Sequence, residues 1–147
     1  MIGTKQEIIN WLDTQPNKQY EIKEHREKRS LNANNYAWHL ITEIGNKLGM
    51  SKEDVYMQML QDYGQSEMVS VVSSIDVKDY FKYYKEAGKS ELNGKEFTHY
   101  KIYKGSSEYN THEMSILIDG IVQECNQLGI QTKSDEEIRS LIESWSQ

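Results

Sequence analysis

The sequence predicts a mixed α+β domain in which several amphipathic helices pack on a small, mainly antiparallel sheet. Three observations carry that expectation. Apolar residues recur at helical spacing in five or six separate stretches, each opened by a capping residue or closed by glycine. The β-branched run MVSVVSSI from Met68 reads as a strand. Asn93-Gly94 is a turn signal placed just before a stretch of alternating residues. At 147 residues and 17.2 kDa the chain fits a single folding unit, residues 1–147, long enough to bury a core.

The first helix opens at the capping box Thr4/Glu7, carries Ile8, Ile9, Trp11 and Leu12, and ends before Pro16. Tyr20 and Ile22 alternate with Glu21 and Lys23, which predicts a strand running into the basic stretch that follows. Ser30 is the expected N-cap of a second helix whose stripe is Ala33, Ala37, Leu40, Ile41, Ile44 and Leu48, closed by Gly49. Ser51 opens a third, with Val55, Met59 and Leu60 inside and Gly64 as its stop. After the Met68 strand the period returns to helical over 77–87. Val77, Tyr80, Phe81 and Tyr84 then share one side, and Lys78, Lys82, Lys85 and Lys89 form a basic stripe on the other. Residues 96–104 alternate as a strand, with Tyr100 and Ile102 on one face and Phe97, His99, Lys101 and Tyr103 on the other. A long helix capped at Asn110 or Thr111 carries Met114, Leu117, Ile118, Ile121, Val122, Cys125 and Leu128 up to Gly129. Ser134 and Glu137 open the last one, which holds Ile138, Leu141, Ile142 and Trp145.

Charge is segregated along the chain although its net value is -6. Cationic and anionic residues number eight against eleven over 1–77, seven against four over 78–104, and two against eight over 105–147. Bulk attraction to nucleic acid is therefore excluded, and any such binding must come from a local basic patch. The single Cys125 can form neither an internal disulfide nor a thiolate zinc site, and its place on the apolar stripe makes it a core residue. No apolar run approaches the roughly 20 residues of a membrane span, and MIGTKQEIINWL lacks a signal-peptide layout, so the expected location is the cytoplasm.

Two constellations could carry chemistry. If Ser30 caps its helix, the free N–H groups of the first turn lie beside Arg26, Lys28 and Arg29, an arrangement suited to a phosphate. Asn32, Asn34 and Asn35 add amides, and Trp38 lies off the core stripe, free for a stacked base, a second subunit or another element of its own chain. The second constellation is the interleaving of seven lysines with seven aromatic residues over 78–104, the combination that sequence-tolerant single-strand binding uses. Aromatic residues of the 77–87 helix lie opposite its lysines and belong to the core, which leaves Phe97, His99, Lys101 and Tyr103 as one mixed face.

The pattern R-S-L-x-x-N-x-x-x-W, present as Arg29, Ser30, Leu31, Asn34 and Trp38, resembles the signature of the phage lambda Orf/NinB family of recombination proteins. THEMSILIDGIVQECNQLGI is similar to that family's C-terminal helix at Glu113, Leu117 and Gly129. The likeness spans about residues 23–130 and departs at Ala33 and Asn35, where family members carry Gln and a basic residue. It implies a phage-encoded, homodimeric accessory that binds single-stranded or branched DNA without sequence specificity. Such a protein assists strand exchange or annealing together with the host single-strand-binding protein, in the host bacterial cytoplasm. No cofactor, metal or catalytic residue is expected. The expected DNA contacts are Arg26, Lys28, Arg29, Ser30, Asn34, Asn35, Trp38, Lys78, Lys82, Lys85, Lys89, His99 and Lys101.

Two alternatives stand beside this reading. Asp13, Glu21 and Lys23 weakly match the acidic layout of a metal-dependent nuclease. The acidic last third could instead contact a basic protein partner. His25, His39, His99 and His112 are too scattered for a metal pair, and the phosphate-loop, dinucleotide and nucleophile-elbow motifs are absent. The apolar surplus of the helix at 111–128, the terminal helix and Trp38 predicts a homodimer with Trp38 or Trp145 near its boundary.

Overall fold

A computed structural model describes residues 1–24 and 31–145 in two compact units, Met1–Ser30 and Leu31–Gln147. In the first, α1 (Lys5–Asp13) begins at the predicted capping box. The Thr4 hydroxyl accepts from the Glu7 N–H at 3.3 Å, and the Glu7 carboxylate accepts from the Thr4 N–H at 2.9 Å. None of its residues is buried. Trp11 meets Tyr20 edge-on at 6.2 Å. The strand expected at Tyr20–Lys23 does not form. A strand needs a hydrogen-bonded neighbour, and no described segment pairs with this one.

The second unit holds four helices and one sheet among the described residues. Helix α2 (Ala33–Leu48) starts two residues later than Ser30 would place it. Its cap is Asn32, whose amide oxygen accepts from the Asn35 N–H at 2.8 Å, and Ser30 itself lies outside the described residues. Gly49 ends the helix with φ at 69°, a conformation that a side chain would strain. Ser51 caps α3 (Lys52–Tyr63), and Gly64 closes it. Asn110 caps α4 (Thr111–Gln127) in a full capping box with Glu113, and Ser134 caps α5 (Asp135–Glu143).

Ala37, Leu40, Ile41 and Ile44 of α2 pack with Val55, Tyr56, Met59 and Leu60 of α3 and with Met114, Leu117, Ile118, Ile121 and Cys125 of α4. Ile138 of α5 joins them. Leu48, expected on the α2 stripe, is instead half exposed in the last turn. Burial pushes the Cys125 thiol up to about 11, as expected of a core cysteine. Trp145 lies against this core. Its indole N–H donates to the Tyr109 carbonyl at 2.7 Å, and its own carbonyl accepts from the Thr111 hydroxyl at 2.8 Å. Val122, Leu128, Leu141 and Ile142 also pack against this core while staying partly exposed.

The sheet comprises β1 (Ser66–Val72), β2 (Tyr84–Leu92) and β3 (Lys95–Tyr103), antiparallel in the order β1-β3-β2. Asn93 and Gly94 make the hairpin turn with φ of 53° and 79°, the positive values that a two-residue connection of this hand requires. The helix expected over 77–87 is absent. Only a single 3-10 turn, Val77–Asp79, forms before the chain enters β2. The helical spacing of Val77, Tyr80, Phe81 and Tyr84 is overridden by hairpin pairing, and the bulge at Gly88, with φ at 126°, suits a strand edge rather than a helix. A lysine stripe on a helix therefore does not exist.

Electrostatics of the α4 cap supply a first test. The Asn110 N–H, then Lys104 at 2.9 Å, hold the Glu113 carboxyl below its ordinary range. A depressed carboxyl contributes stability above its unfolded pKa, and that contribution disappears as pH falls through the folded value. Glu113→Ala is thus expected to melt below the parent at neutral pH, with the gap closing as the solution is acidified below about pH 4. A gap independent of pH, measured by thermal circular dichroism, would mean the carboxylate charge contributes nothing.

Candidate functional site

Helix α2 sets Asn34 and Trp38 four residues apart on one face, so both reach the same neighbourhood. Helix α3 places Tyr56 beneath the tryptophan, the two rings stacked at 4.0 Å and 16°. Tyr83, at the entrance to β2, meets Tyr56 edge-on at 5.3 Å, and the Lys82 ammonium stands 5.3 Å from the Tyr83 ring centre. The Tyr103 N–H donates to the Tyr83 carbonyl at 2.9 Å, and the Lys104 N–H donates to the Gln65 carbonyl at 3.0 Å. These bonds close the base of the sheet, where its strands come up to the helices α2 and α3. Between them lies an open groove of about 940 Å³, lined by Asn34, Trp38, Tyr56, Tyr80, Lys82, Tyr83 and Lys104 among others. Tyr80 is 74% exposed at its edge.

A polar relay fixes the groove floor. The buried Ser106 N–H donates to the Tyr56 hydroxyl at 2.8 Å, and the Ser106 hydroxyl donates to the Asn34 amide oxygen at 2.6 Å. The Ser106 hydroxyl has one proton, so the 2.9 Å bond between Tyr56 and Ser106 must run from the phenol to the serine. Asn34 is therefore held by its oxygen. Burial raises the Tyr56 pKa and the two Ser106 bonds oppose that rise, so the phenol keeps the proton the relay needs.

The groove's own charge is mixed. Lys82 and Lys104 face Glu67, Glu108 and Glu113, and Lys104 is engaged by Glu113. Aromatic surface and amides dominate, and nothing here attracts a polyanion strongly. What the site can do is sandwich or edge a planar ring and hydrogen-bond its rim.

Of the expected DNA contacts, Asn34, Trp38 and Lys82 come together in this groove. Lys85, His99 and Lys101 share one face of the sheet, whereas Lys89 projects from the other, 3.8 Å from Glu96. Lys78 sits on the isolated 3-10 turn, its backbone N–H bonded to the Asp76 carboxylate. Asn35 serves the α2 cap through its backbone N–H and does not line the groove. Arg26, Lys28 and Arg29, like Ser30, lie outside the described residues. Trp38 packs within its own chain, on Tyr56, and its outer surface faces the groove. Tyr56 and Ser106 complete the site without any sequence signal, and Tyr83 was legible only as one of the seven aromatic residues interleaved with lysines over 78–104. Ser106 is 72 residues from Asn34, and only tertiary packing brings them together.

Glu21 and Lys23, weighed as nuclease residues, pair with each other at 3.2 Å on exposed chain. Among the described residues no three His, Cys, Asp or Glu side chains gather as metal ligands, and no helix is long and apolar enough to cross a membrane. Comparisons with protein-family models, with curated proteins and with solved structures give no match to the chain.

Proposed function

We propose that the protein is a non-enzymatic accessory of phage DNA recombination that binds single-stranded or branched DNA without sequence specificity. One observation carries this reading: Asn34 and Trp38, both from the recombination-protein pattern, line one aromatic groove with Tyr56, Tyr83 and Lys82. A base stacked there needs no particular identity, because every base offers a π-face, and each such stack contributes about 1–3 kcal/mol. The resemblance extends the reading to a homodimer acting beside the host single-strand-binding protein in the bacterial cytoplasm, assisting annealing or recombinase loading. A dimer would place two grooves on one strand and raise avidity.

The test is electrophoretic mobility of labelled single-stranded, branched and duplex DNA, with and without magnesium, followed by a denaturing gel. Retarded single-stranded or branched DNA recovered intact is the expected result. Cleavage that requires metal would replace this reading with the nuclease, and no retardation of any DNA would favour a protein partner. Sedimentation at several concentrations decides the dimer, since a species fixed at 17.2 kDa rules it out.

A further inference from the structure

The strand register sorts the sheet's charges completely. Directly opposed residues of an antiparallel pair share a face, and neighbours along a strand alternate. Glu67, Glu86, Glu91 and Glu96, with Lys89, accordingly fall on the face of Thr98, Tyr100 and Ile102. That face is partly covered. The Ser73 hydroxyl bonds the Thr98 hydroxyl at 2.7 Å, and Phe81 meets Tyr84, which meets Tyr100. The other face carries Lys85, Lys95, Lys101 and His99 and no carboxylate. Among the described residues none of these three lysines has an acidic partner.

The arrangement is costly without a ligand. Lys85 and Lys101 are directly opposed, and like charges at opposed positions destabilise a sheet. Beside them the His99 ring spans three strands, its Nδ1 2.6 Å from the Ser70 hydroxyl and its Nε2 2.7 Å from the Ser90 hydroxyl. A neutral imidazole donates through one nitrogen and accepts through the other. The ring can take a proton from at most one serine, so at least one of the two hydroxyls keeps its own for a ligand. Gly88, directly opposite His99, leaves the approach free of a side chain. Lys101 then leads toward the groove, its ammonium 5.7 Å from the ring centre of Tyr103, a groove residue.

We infer that this face is a phosphodiester-binding track, with a phosphate seated at Ser70, His99 and Ser90 beside the Lys85–Lys101 pair. The identity of the anion rests on the single-strand reading above; the cationic face does not. From Lys95 to Lys101 the track runs about 20 Å along β3, with same-face side chains repeating every two residues as an extended sugar–phosphate backbone would require. It supplies the attraction that the mixed-charge groove lacks, so the backbone lies on the sheet and the bases reach the aromatic rings.

The experiment measures binding of the full chain to an abasic oligodeoxynucleotide and to an oligothymidylate of equal length across a salt series. Lys85→Gln with Lys101→Gln is compared with Lys47→Gln with Lys52→Gln, two exposed lysines on α2 and α3. Loss of two phosphate contacts flattens the log–log salt slope by about 1.4, roughly a 25-fold difference over a tenfold salt change, for both probes. The control pair keeps the parent slope. Lys101→Glu separates function from folding, because it gives Lys85 an opposite charge and raises the melting temperature while it abolishes abasic binding. An unchanged slope in the Lys85/Lys101 variant overturns the track even if oligothymidylate still binds through the groove. Abasic binding lost with the lysines, together with oligothymidylate binding indifferent to Trp38, keeps the track and removes the groove reading. A parent that binds neither probe, or binds oligoglutamate as well as the abasic strand, overturns the phosphodiester assignment.

Discussion

Replacing Gly120 by valine is expected to remove about 3 kcal/mol or more from folding stability, a fall of roughly 6–12 °C in melting temperature for a chain of this size. Any Cβ at Gly120 would land on the Cγ and Cδ atoms of Tyr63, in van der Waals overlap. Those atoms are the root of the ring rather than a flexible tip. The ring is also tethered, since its hydroxyl donates to the Glu124 carboxylate at 2.7 Å, a bond that pushes the phenol up to about 12. Relief requires α3 and α4 to part, which would open the core at Leu60 and Ile121, both fully buried. Chemical denaturation measures the loss. Combining Gly120→Val with Tyr63→Ala should recover part of it, a non-additivity diagnostic of direct contact. A single variant as stable as the parent would show that the helices do not meet at this glycine.

The second large effect is functional. Trp38→Ala is expected to weaken oligothymidylate binding by about 5- to 150-fold, the range that one lost base stack of 1–3 kcal/mol implies. Stability should fall as well, because the indole also stacks on Tyr56. Trp38→Phe separates the two consequences, since it keeps an aromatic surface over Tyr56 and should retain much of the affinity. Fluorescence anisotropy of a labelled strand, under conditions where circular dichroism shows both variants folded, gives the comparison. Equal affinity for parent and Trp38→Ala would remove the groove from any account of nucleic-acid binding.

Local rules made much of the fold readable along the chain. Thr4, Ser51, Asn110 and Ser134 cap helices because a short polar side chain can satisfy an N–H that the helix leaves open, an interaction spanning only three residues. The stripe from Met114 to Cys125 is buried because a 3.6-residue period allows one helix face to leave water. Asn93-Gly94 turns because those residues tolerate positive φ, and the alternation of Phe97, His99, Lys101 and Tyr103 follows from the pleat of β3. The mixed basic and aromatic character of that face was therefore legible before its neighbours were known.

Pairing between distant segments settled the rest. Residues 77–87 carry a helical apolar period, yet from Tyr84 onward the chain becomes β2, because β3 supplies the hydrogen-bond partners and a hairpin turn needs a strand on both sides. That change of state, with the bulge before Gly88, sends Lys85 and Lys89 to opposite faces and dissolves the stripe they were expected to form. Tyr20–Lys23 alternates like a strand but has no described partner, so it remains irregular. Trp38 could be seen to leave the core stripe, but not that Tyr56 would lie 4.0 Å beneath it or that Ser106 would reach Asn34 across 72 residues. Periodicity and capping act over a few residues and are written into the chain. A groove or a one-signed sheet face depends on which segments meet, and burial and hydrogen bonding across the whole domain decide that.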